Sequence, residues 1–137
     1  MQHKNIIITG ATDGIGLAAA KSIAKKGYHV SLVGRNPNKG KKALETIIAH
    51  SGNENLDFFE CDLSLVANVK DLADKIKQKH SKIDVLLNNA GGANKTKQIT
   101  SEGLEKTFAT NQMNYFVLST ELLLSLIHIS EPTRPLY

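Results

Sequence analysis

Three glycines in the segment Gly10-Ala11-Thr12-Asp13-Gly14-Ile15-Gly16 have the spacing of a loop that could hold a diphosphate. The loop lies between Ile6–Ile8, an apolar run that predicts a buried strand, and Leu17–Lys26, which predicts a helix. The first glycine permits a tight turn, the second lets a phosphate approach the main chain, and the third allows the helix to pack closely on the strand. Because amides at a helix start favour negative charge, this context predicts dinucleotide binding.

An arginine, Arg35, follows the second predicted strand, where such folds place the residue that contacts the adenosine ribose. An acidic side chain there takes both ribose hydroxyls of NAD, whereas an arginine accommodates the 2′-phosphate of NADP. The next carboxylate is Glu45, well into a helix, and Lys39 or Lys42 could add positive potential. The sequence therefore predicts NADP(H) rather than NAD, and an unengaged surface charge is the alternative interpretation of Arg35.

The elements that must position these residues alternate along the chain. Short apolar runs predict the strands Ile6–Ile8, Tyr28–Val33, Leu56–Phe59 and Ile83–Leu87. Helical periodicity predicts Leu17–Lys26 ended by Gly27, a helix capped by Asn36 with Pro37 in its first turn, a helix capped by Ser64, and a long helix over Ser101–Leu126. Nearly all-apolar strands that alternate with helices indicate a parallel sheet covered on both faces, so the predicted class is α/β, doubly wound and Rossmann-like.

The length of the chain, 137 residues, limits how much of such a fold it can contain. Each strand–helix unit takes about 26 residues, so six strands would need about 156. We therefore expect an incomplete sheet in one domain over residues 1–126. Residues 127–137 hold two of the three prolines and no periodicity, which predicts an irregular tail, either foreign read-through sequence or a genuine disordered end.

Composition excludes several classes of protein. The chain is 41% hydrophobic and 22% charged, and no apolar run approaches the roughly 18 residues that span a bilayer, so we expect a cytoplasmic protein without an integral membrane segment. Seventeen Lys plus Arg against thirteen Asp plus Glu are mostly scattered lysines, which favours a solvated surface over nucleic-acid binding. Five dispersed histidines lack ligand spacing and predict no metal site, and the single cysteine, Cys61, is interpreted as a small buried hydrophobe.

Two motifs together resemble the short-chain dehydrogenase/reductase family: Thr9-Gly10-Ala11-Thr12-Asp13-Gly14-Ile15-Gly16, and Asn88-Asn89-Ala90-Gly91 after the fourth predicted strand. Gly34-Arg35-Asn36, Cys61-Asp62-Leu63-Ser64 and the segment from Thr100 to Glu105 are most similar to its retinol-dehydrogenase-like branch. The resemblance implies that the cofactor is bound by Thr9, Gly10, Thr12, Asp13, Gly14, Ile15, Gly16, Arg35, Asn36, Asp62, Leu63, Asn89, Ala90 and Gly91. It also implies that Asp62 contacts the adenine and that Asn111 is catalytic.

The resemblance further implies reversible hydride transfer between nicotinamide and an alcohol or carbonyl carbon of a small-molecule substrate. A tyrosine would act as the acid/base with a nearby lysine. An unperturbed tyrosine has a pKa of about 10, so it needs a neighbouring cation that stabilises the phenolate if it is to act at neutral pH. Leu32 and Ser119, not lysine, stand four residues after Tyr28 and Tyr115. Only Asn111 of the catalytic set is therefore expected in this chain, and the full-length parent could form homo-oligomers.

Several of these residues have structural alternatives. Asn88 and Asn89 could hold the strand ends in register as well as contact the cofactor, and Asp62 could cap the helix near Ser64. Asn111 is a polar residue in the interior of a predicted helix, where asparagine is unfavourable, so we expect it to face a polar group.

Three functions remain open at this point. The first is the N-terminal part of an NADP(H)-dependent oxidoreductase acting on a retinoid-like, lipid-like or other hydrophobic alcohol or ketone. The second is a non-catalytic dinucleotide-binding module. The third is a fragment without function, because a sheet that ends at the fourth strand would expose an apolar edge and be poorly soluble.

Overall fold

The computed structural model of the chain describes residues 3–127. Four strands run parallel in one sheet: β1 (Asn5–Thr9), β2 (His29–Gly34), β3 (Leu56–Glu60) and β4 (Val85–Leu87). Successive strands are connected by α1 (Gly14–Ala24), α2 (Pro37–Ser51) and α3 (Val66–Lys79). The predicted α/β, Rossmann-like class with an incomplete sheet is confirmed for the described residues.

The strand order β3-β2-β1-β4 places a reversal of the winding direction between β1 and β4. The chain moves outward from β1 to β3 and then returns to the other side of β1. Ligands of open α/β sheets bind beyond the carboxyl ends of the strands at such a reversal. The loops that follow Thr9 and Leu87 therefore meet where a binding crevice is expected.

Side chains of the central strands alternate between two buried cores. Ile6 and Ile8 pack with the apolar residues of α1 and α2, whereas Ile7 packs with those of α3 and of the helix that follows the 106–113 segment. Complete burial of an isoleucine contributes about 1.5–3 kcal/mol, so both faces of β1 stabilise the fold. This two-sided burial is the reason why the strand runs are almost wholly apolar.

The single long helix predicted over Ser101–Leu126 is wrong. Residues 101–104 form a turn in which Gly103 has a φ of +82°, a conformation that favours glycine. Leu122 divides the later part because its φ of −95° and ψ of 3° leave the helical region. The observed elements are α4 (Lys106–Phe108), a π-helical segment (Ala109–Met113), α5 (Asn114–Glu121) and α6 (Leu123–Ile127).

The predicted cap of α3 by Ser64 is also wrong. Leu65 is the N-cap residue, and its side chain makes no capping hydrogen bond. The carboxylate of Glu102 supplies the cap, since it accepts hydrogen bonds from the main-chain N–H of Val66 at 2.5 Å and of Ala67 at 3.0 Å. The start of α3 is thus fixed by a residue 36 positions further along the chain.

Other boundaries lie close to their predicted places. The Asn36 cap is confirmed, because its Oδ1 accepts hydrogen bonds from the N–H groups of Asn38 at 2.9 Å and Lys39 at 3.1 Å. The fourth strand begins at Val85 rather than Ile83, although Ile83 is completely buried.

The predicted change at residue 127 falls at the end of α6, which includes Ile127. The irregular tail predicted from there lies, beyond that residue, outside the described part of the chain. Among residues 3–127, no helix combines the length and the apolar character needed to cross a bilayer.

Candidate functional site

The loop after β1 turns at Gly10, which has a φ of +64° and donates its N–H to the carbonyl oxygen of Val33 at 2.9 Å. A Cβ on Gly10 would lie 2.8 Å from Cα of Ala90, and a Cβ on Gly16 would lie 2.2 Å from the carbonyl oxygen of Gly10. Neither distance is compatible with a real side chain. The two glycines therefore let α1 and the loop after β4 pack directly against the turn.

The start of α1 offers main-chain N–H groups that no side chain caps. Its N-cap residue, Asp13, makes no capping hydrogen bond, and the first turn holds no acidic residue. The first N–H bonded within the helix is that of Leu17, which donates to Asp13 O at 3.1 Å. The N–H groups before it therefore have no acceptor within the helix. Asp13 turns outward, with Oδ2 3.6 Å from Nζ of Lys39. This end of α1 suits an anion.

The 88–91 segment is held against the end of β1. The hydroxyl oxygen of buried Thr9 accepts hydrogen bonds from the N–H groups of Asn89 and Ala90, each at 3.0 Å. The side-chain nitrogen of Asn89 donates to the carbonyl oxygens of Thr9 at 3.2 Å and Gly10 at 3.1 Å. The register role considered for Asn89 is therefore present in the structure, and Asn89 also borders the cleft described below.

Residues of the π-helical segment and α5 hold the same loop from its other side. The Tyr115 hydroxyl donates a hydrogen bond to Ala90 O at 2.5 Å. Asn111 brackets the peptide unit of Gly92, because its Oδ1 accepts from Gly92 N at 2.9 Å and its Nδ2 donates to Gly92 O at 2.8 Å. Asn111 thus faces a polar partner, as predicted. The role of Tyr115 was not predicted from the sequence.

Arg35 and Asp62 follow β2 and β3 at the carboxyl edge of the sheet. Asp62 Oδ1 accepts hydrogen bonds from Ser64 Oγ at 2.7 Å and Ser64 N at 3.0 Å. Burial works against the charged form, but these bonds and the nearby cations Arg35 and Lys106 lower the pKa of Asp62. The helix cap considered for Asp62 is therefore wrong: its carboxylate holds the turn at Ser64 and is charged at neutral pH.

These parts enclose a cleft of about 720 Å³ at the reversal between β1 and β4. Most of the predicted cofactor residues line it: Gly10, Thr12, Asp13, Gly14, Ile15, Arg35, Asp62, Leu63, Asn89, Ala90 and Gly91. Four predicted site residues do not line it. Thr9 and Asn111 hydrogen-bond to lining residues, Gly16 packs against Gly10, and Asn36 caps α2.

The cleft also has lining residues that were not predicted to be part of the site: Gly34, Cys61, Ser64, Gly92, Ala93, Asn94, Lys106 and Thr110. Lys106 and Thr110 are four positions apart, a spacing that places polar residues on one helix face next to Asn111 and could have indicated them. Cys61 is buried, as expected, and this burial raises the pKa of its thiol to about 12.

Comparison with known proteins agrees with this geometry. The family model of the short chain dehydrogenases matches residues 4–131. The chain belongs to the short-chain dehydrogenase family. The resemblance found in the glycine loop and the 88–91 motif is thereby confirmed.

Members of the short-chain dehydrogenase family similar to this chain include Dehydrogenase/reductase SDR family member 12 of Bos taurus, 42% identical over 117 residues that make up 85% of this chain and 37% of the relative. Retinol dehydrogenase 13 of Homo sapiens is 32% identical over 131 residues, or 96% of this chain and 39% of the relative. The chain therefore spans less than two-fifths of the length of these relatives. The chain superposes on a crystal structure of a metagenomic short-chain oxidoreductase in complex with NADP with a TM-score of 0.80 and 25% sequence identity. The match covers 93% of this chain and 57% of the oxidoreductase.

Proposed function

We propose that the chain forms the nucleotide-binding part of an NADP(H)-dependent oxidoreductase that exchanges hydride between nicotinamide and an alcohol or carbonyl carbon. The observation that carries this proposal is the cleft in which the turn at Gly10, the start of α1 and the 88–91 segment meet. The family membership supports it, as does the similarity to a short-chain oxidoreductase whose crystal structure is a complex with NADP. When bound, the cofactor would supply the hydride donor or acceptor.

The residues at the turn fit a diphosphate. Nothing lies within 4 Å of the position that a Cβ on Gly14 would occupy, so a ligand can reach the main chain there. The amides at the start of α1 are left without a side-chain cap and would donate to phosphate oxygens. Beyond them, the 89–91 segment would border the nicotinamide half.

The preference for NADP(H) over NAD(H) rests on the charges at the end of β2. Arg35 lines the cleft, and Nζ of Lys39 lies 3.6 Å from Oδ2 of Asp13, which also lines it. A guanidinium matches the geometry of a phosphate and cannot replace a carboxylate that accepts from ribose hydroxyls. Asp62 stands one strand further out and would border the adenine.

The catalytic groups of the proposed reaction are only partly present in the 137 residues. Asn111 would order the main chain of Gly92 beside the nicotinamide, but no tyrosine is followed four positions later by lysine. We therefore propose that this chain binds the cofactor and alone does not turn over substrate. The alternative drawn from the sequence is a dinucleotide-binding module without catalysis. The hydrophobic substrate, the homo-oligomer and the cytoplasmic location stay predictions.

Titration of the chain with NADPH and with NADH, followed by nicotinamide fluorescence, tests the proposal. Arg35→Ala should weaken NADPH binding about tenfold or more, because a charge-assisted hydrogen bond contributes about 1.5–3 kcal/mol, and should change NADH binding little. Lys26→Ala is the matched control, since it removes an exposed cation at the far end of α1.

The outcomes separate the parts of the proposal. Equal losses for both cofactors would contradict the 2′-phosphate assignment alone. Failure of the unmodified chain to bind either cofactor would contradict the site itself. Oxidation of NADPH by this chain in the presence of a ketone would contradict the statement that it is inactive alone.

A further inference from the structure

A second polar cluster lies towards the amino ends of the strands, away from the cleft. It is formed by His29, the first residue of β2, by Asp57, the second residue of β3, and by His80, the residue after α3. Asp57 is paired in register with Ser31, and both residues lie on the face of the sheet that packs against α3. The two histidines are 51 positions apart in sequence, so the parallel pairing of β2 with β3 and the end of α3 bring them together.

The ligand atoms of this cluster are close together and buried. Nε2 of His29 and Nε2 of His80 each lie 3.5 Å from Oδ2 of Asp57, and the two ring centroids are 4.7 Å apart. His29 is 8% exposed, His80 is 9% exposed and the Asp57 side chain is 11% exposed. One nitrogen or oxygen of each residue lies within 4.8 Å of the others.

Polar atoms of the cluster are left without hydrogen bonds of standard geometry among the described residues. These atoms are both carboxylate oxygens of Asp57 and Nδ1 of His29. Lys79 Nζ forms an ion pair with Asp57 Oδ2 at 2.8 Å, but its side chain is 54% exposed. Three groups thus converge on Oδ2 of Asp57: the Lys79 ammonium and the Nε2 atoms of the two histidines.

We propose that His29, Asp57 and His80 form a binding site for one divalent transition-metal ion, with Zn²⁺ as the ion that fits best. Zinc–ligand distances of about 2.0–2.2 Å place the ligand atoms of a tetrahedral site about 3.3–3.6 Å apart, and both nitrogen–oxygen distances of the cluster fall in this range. Two imidazoles and one carboxylate are a donor set that zinc takes in proteins, with water as the fourth ligand.

Burial and nearby charges both act on the pKa values of the cluster. Burial lowers the pKa of His29 despite the opposing effect of the Asp57 carboxylate. Although burial disfavours the charge on Asp57, the Lys79 ammonium and the Ser31 hydroxyl lower the pKa of that carboxyl. The Lys79 ammonium would have to leave Asp57 when the ion enters, and its position at the exposed end of α3 allows this.

An ion at this site would stabilise the fold, because the site connects β2, β3 and the end of α3, and it lies apart from the nucleotide cleft. A metal ion held by three elements raises the stability of the folded state by its binding free energy. This inference is independent of the proposed function, since no residue of the cluster lines the cleft.

Titration of the full 137-residue chain with Co²⁺ and Zn²⁺ tests the proposal. We expect one Co²⁺ per chain with the strong visible absorption of tetrahedral cobalt, displacement of Co²⁺ by Zn²⁺, and a higher thermal midpoint with Zn²⁺ present. His80→Gln should weaken Co²⁺ binding by about tenfold or more, because it removes a ligand. His50→Gln is the control, since His50 is exposed at the end of α2, and it should leave the spectrum unchanged.

A second pair of variants does not depend on changes in the core. Lys79→Met removes the competing ammonium and should tighten Co²⁺ binding about two- to fivefold, the equivalent of one partly exposed ion pair. Lys77→Met makes the same change on the same helix end and should not alter the affinity. Equal affinities for the Lys79→Met and Lys77→Met chains, an octahedral cobalt spectrum, or a Co²⁺ affinity that His80→Gln does not lower would each overturn the proposal.

Discussion

At the scale of single residues, Gly16 sets how closely α1 approaches the turn after β1. A methyl group at this position would lie 2.2 Å from Gly10 O and 2.6 Å from Asn89 Nδ2. Gly16→Ala should therefore displace both groups and destabilise the chain by about 1–3 kcal/mol, the usual cost of overpacking. Urea denaturation measures the loss. Gly92→Ala is the matched control, because a Cβ there meets nothing within 4 Å; an equal loss in both variants would contradict the close-packing argument.

Asp62 gives the fold a defined dependence on pH. Burial opposes its charge, but hydrogen bonds from Ser64 and the field of Arg35 lower its pKa in the folded state. A group with a lowered folded pKa stabilises the protein above its unfolded pKa of about 3.9, and this contribution is lost as the pH falls through the folded value. The urea midpoint of Asp62→Asn should thus lie below that of the unmodified chain at pH 7, and the two should converge towards pH 3. A gap of constant size over this range would show that the charge of Asp62 contributes nothing.

At the scale of elements, the cap of α3 by Glu102 shows how a helix start can depend on a distant segment. Glu102→Ala removes the acceptor for the N–H groups of Val66 and Ala67, and loss of such a cap costs about 0.5–2 kcal/mol. Hydrogen exchange of these two amides should accelerate accordingly. Ser64→Ala serves as the control because Ser64 bonds to Asp62 instead. Faster exchange in the Ser64→Ala chain alone would contradict the Glu102 cap and support the Ser64 cap predicted from the sequence.

The same example shows what could be predicted from sequence and what could not. Buried strands such as β1 are apolar for their whole length, so their order and class follow from local composition. The break of the predicted 101–126 helix depends on the turn at Gly103 and on Leu122, which local periodicity does not reveal. The pairing of His29 with His80 depends on strand register, so their spacing in sequence gave no sign of it.

The candidate site divides in the same way. The turn at Gly10 was predictable because glycine spacing between a strand and a helix has a specific physical meaning. The contact of Tyr115 with Ala90 and the place of Lys106 beside the cleft arise from how the 106–121 region packs on the sheet. Long-range packing of this kind leaves no local signal in the sequence.

At the scale of the whole molecule, one face of the sheet at β4 is not covered by any of residues 3–127. Val85 and Leu87 are paired in register with Ile6 and Ile8. They therefore lie on the face of the sheet against which α1 and α2 pack. Ile6 and Ile8 are buried, but Val85 is 46% exposed and Leu87 is 37% exposed. Among the described strands, β4 pairs with β1 alone, so its outer edge also offers main-chain groups to another strand. Apolar, exposed edge strands favour association between chains.

We therefore expect the 137-residue chain to self-associate through this edge. Sedimentation at increasing protein concentration should show a rising mean mass, and replacement of Val85 and Leu87 together by lysine should lower that mass, because charged side chains on an edge strand oppose pairing. Ile99→Lys is the control, since it makes the same kind of change at an exposed site outside the named strands. A monomer at all concentrations would contradict the role of the β4 edge. If Ile99→Lys abolished association as fully as the double variant does, the association would be due to general surface hydrophobicity and not to the β4 edge.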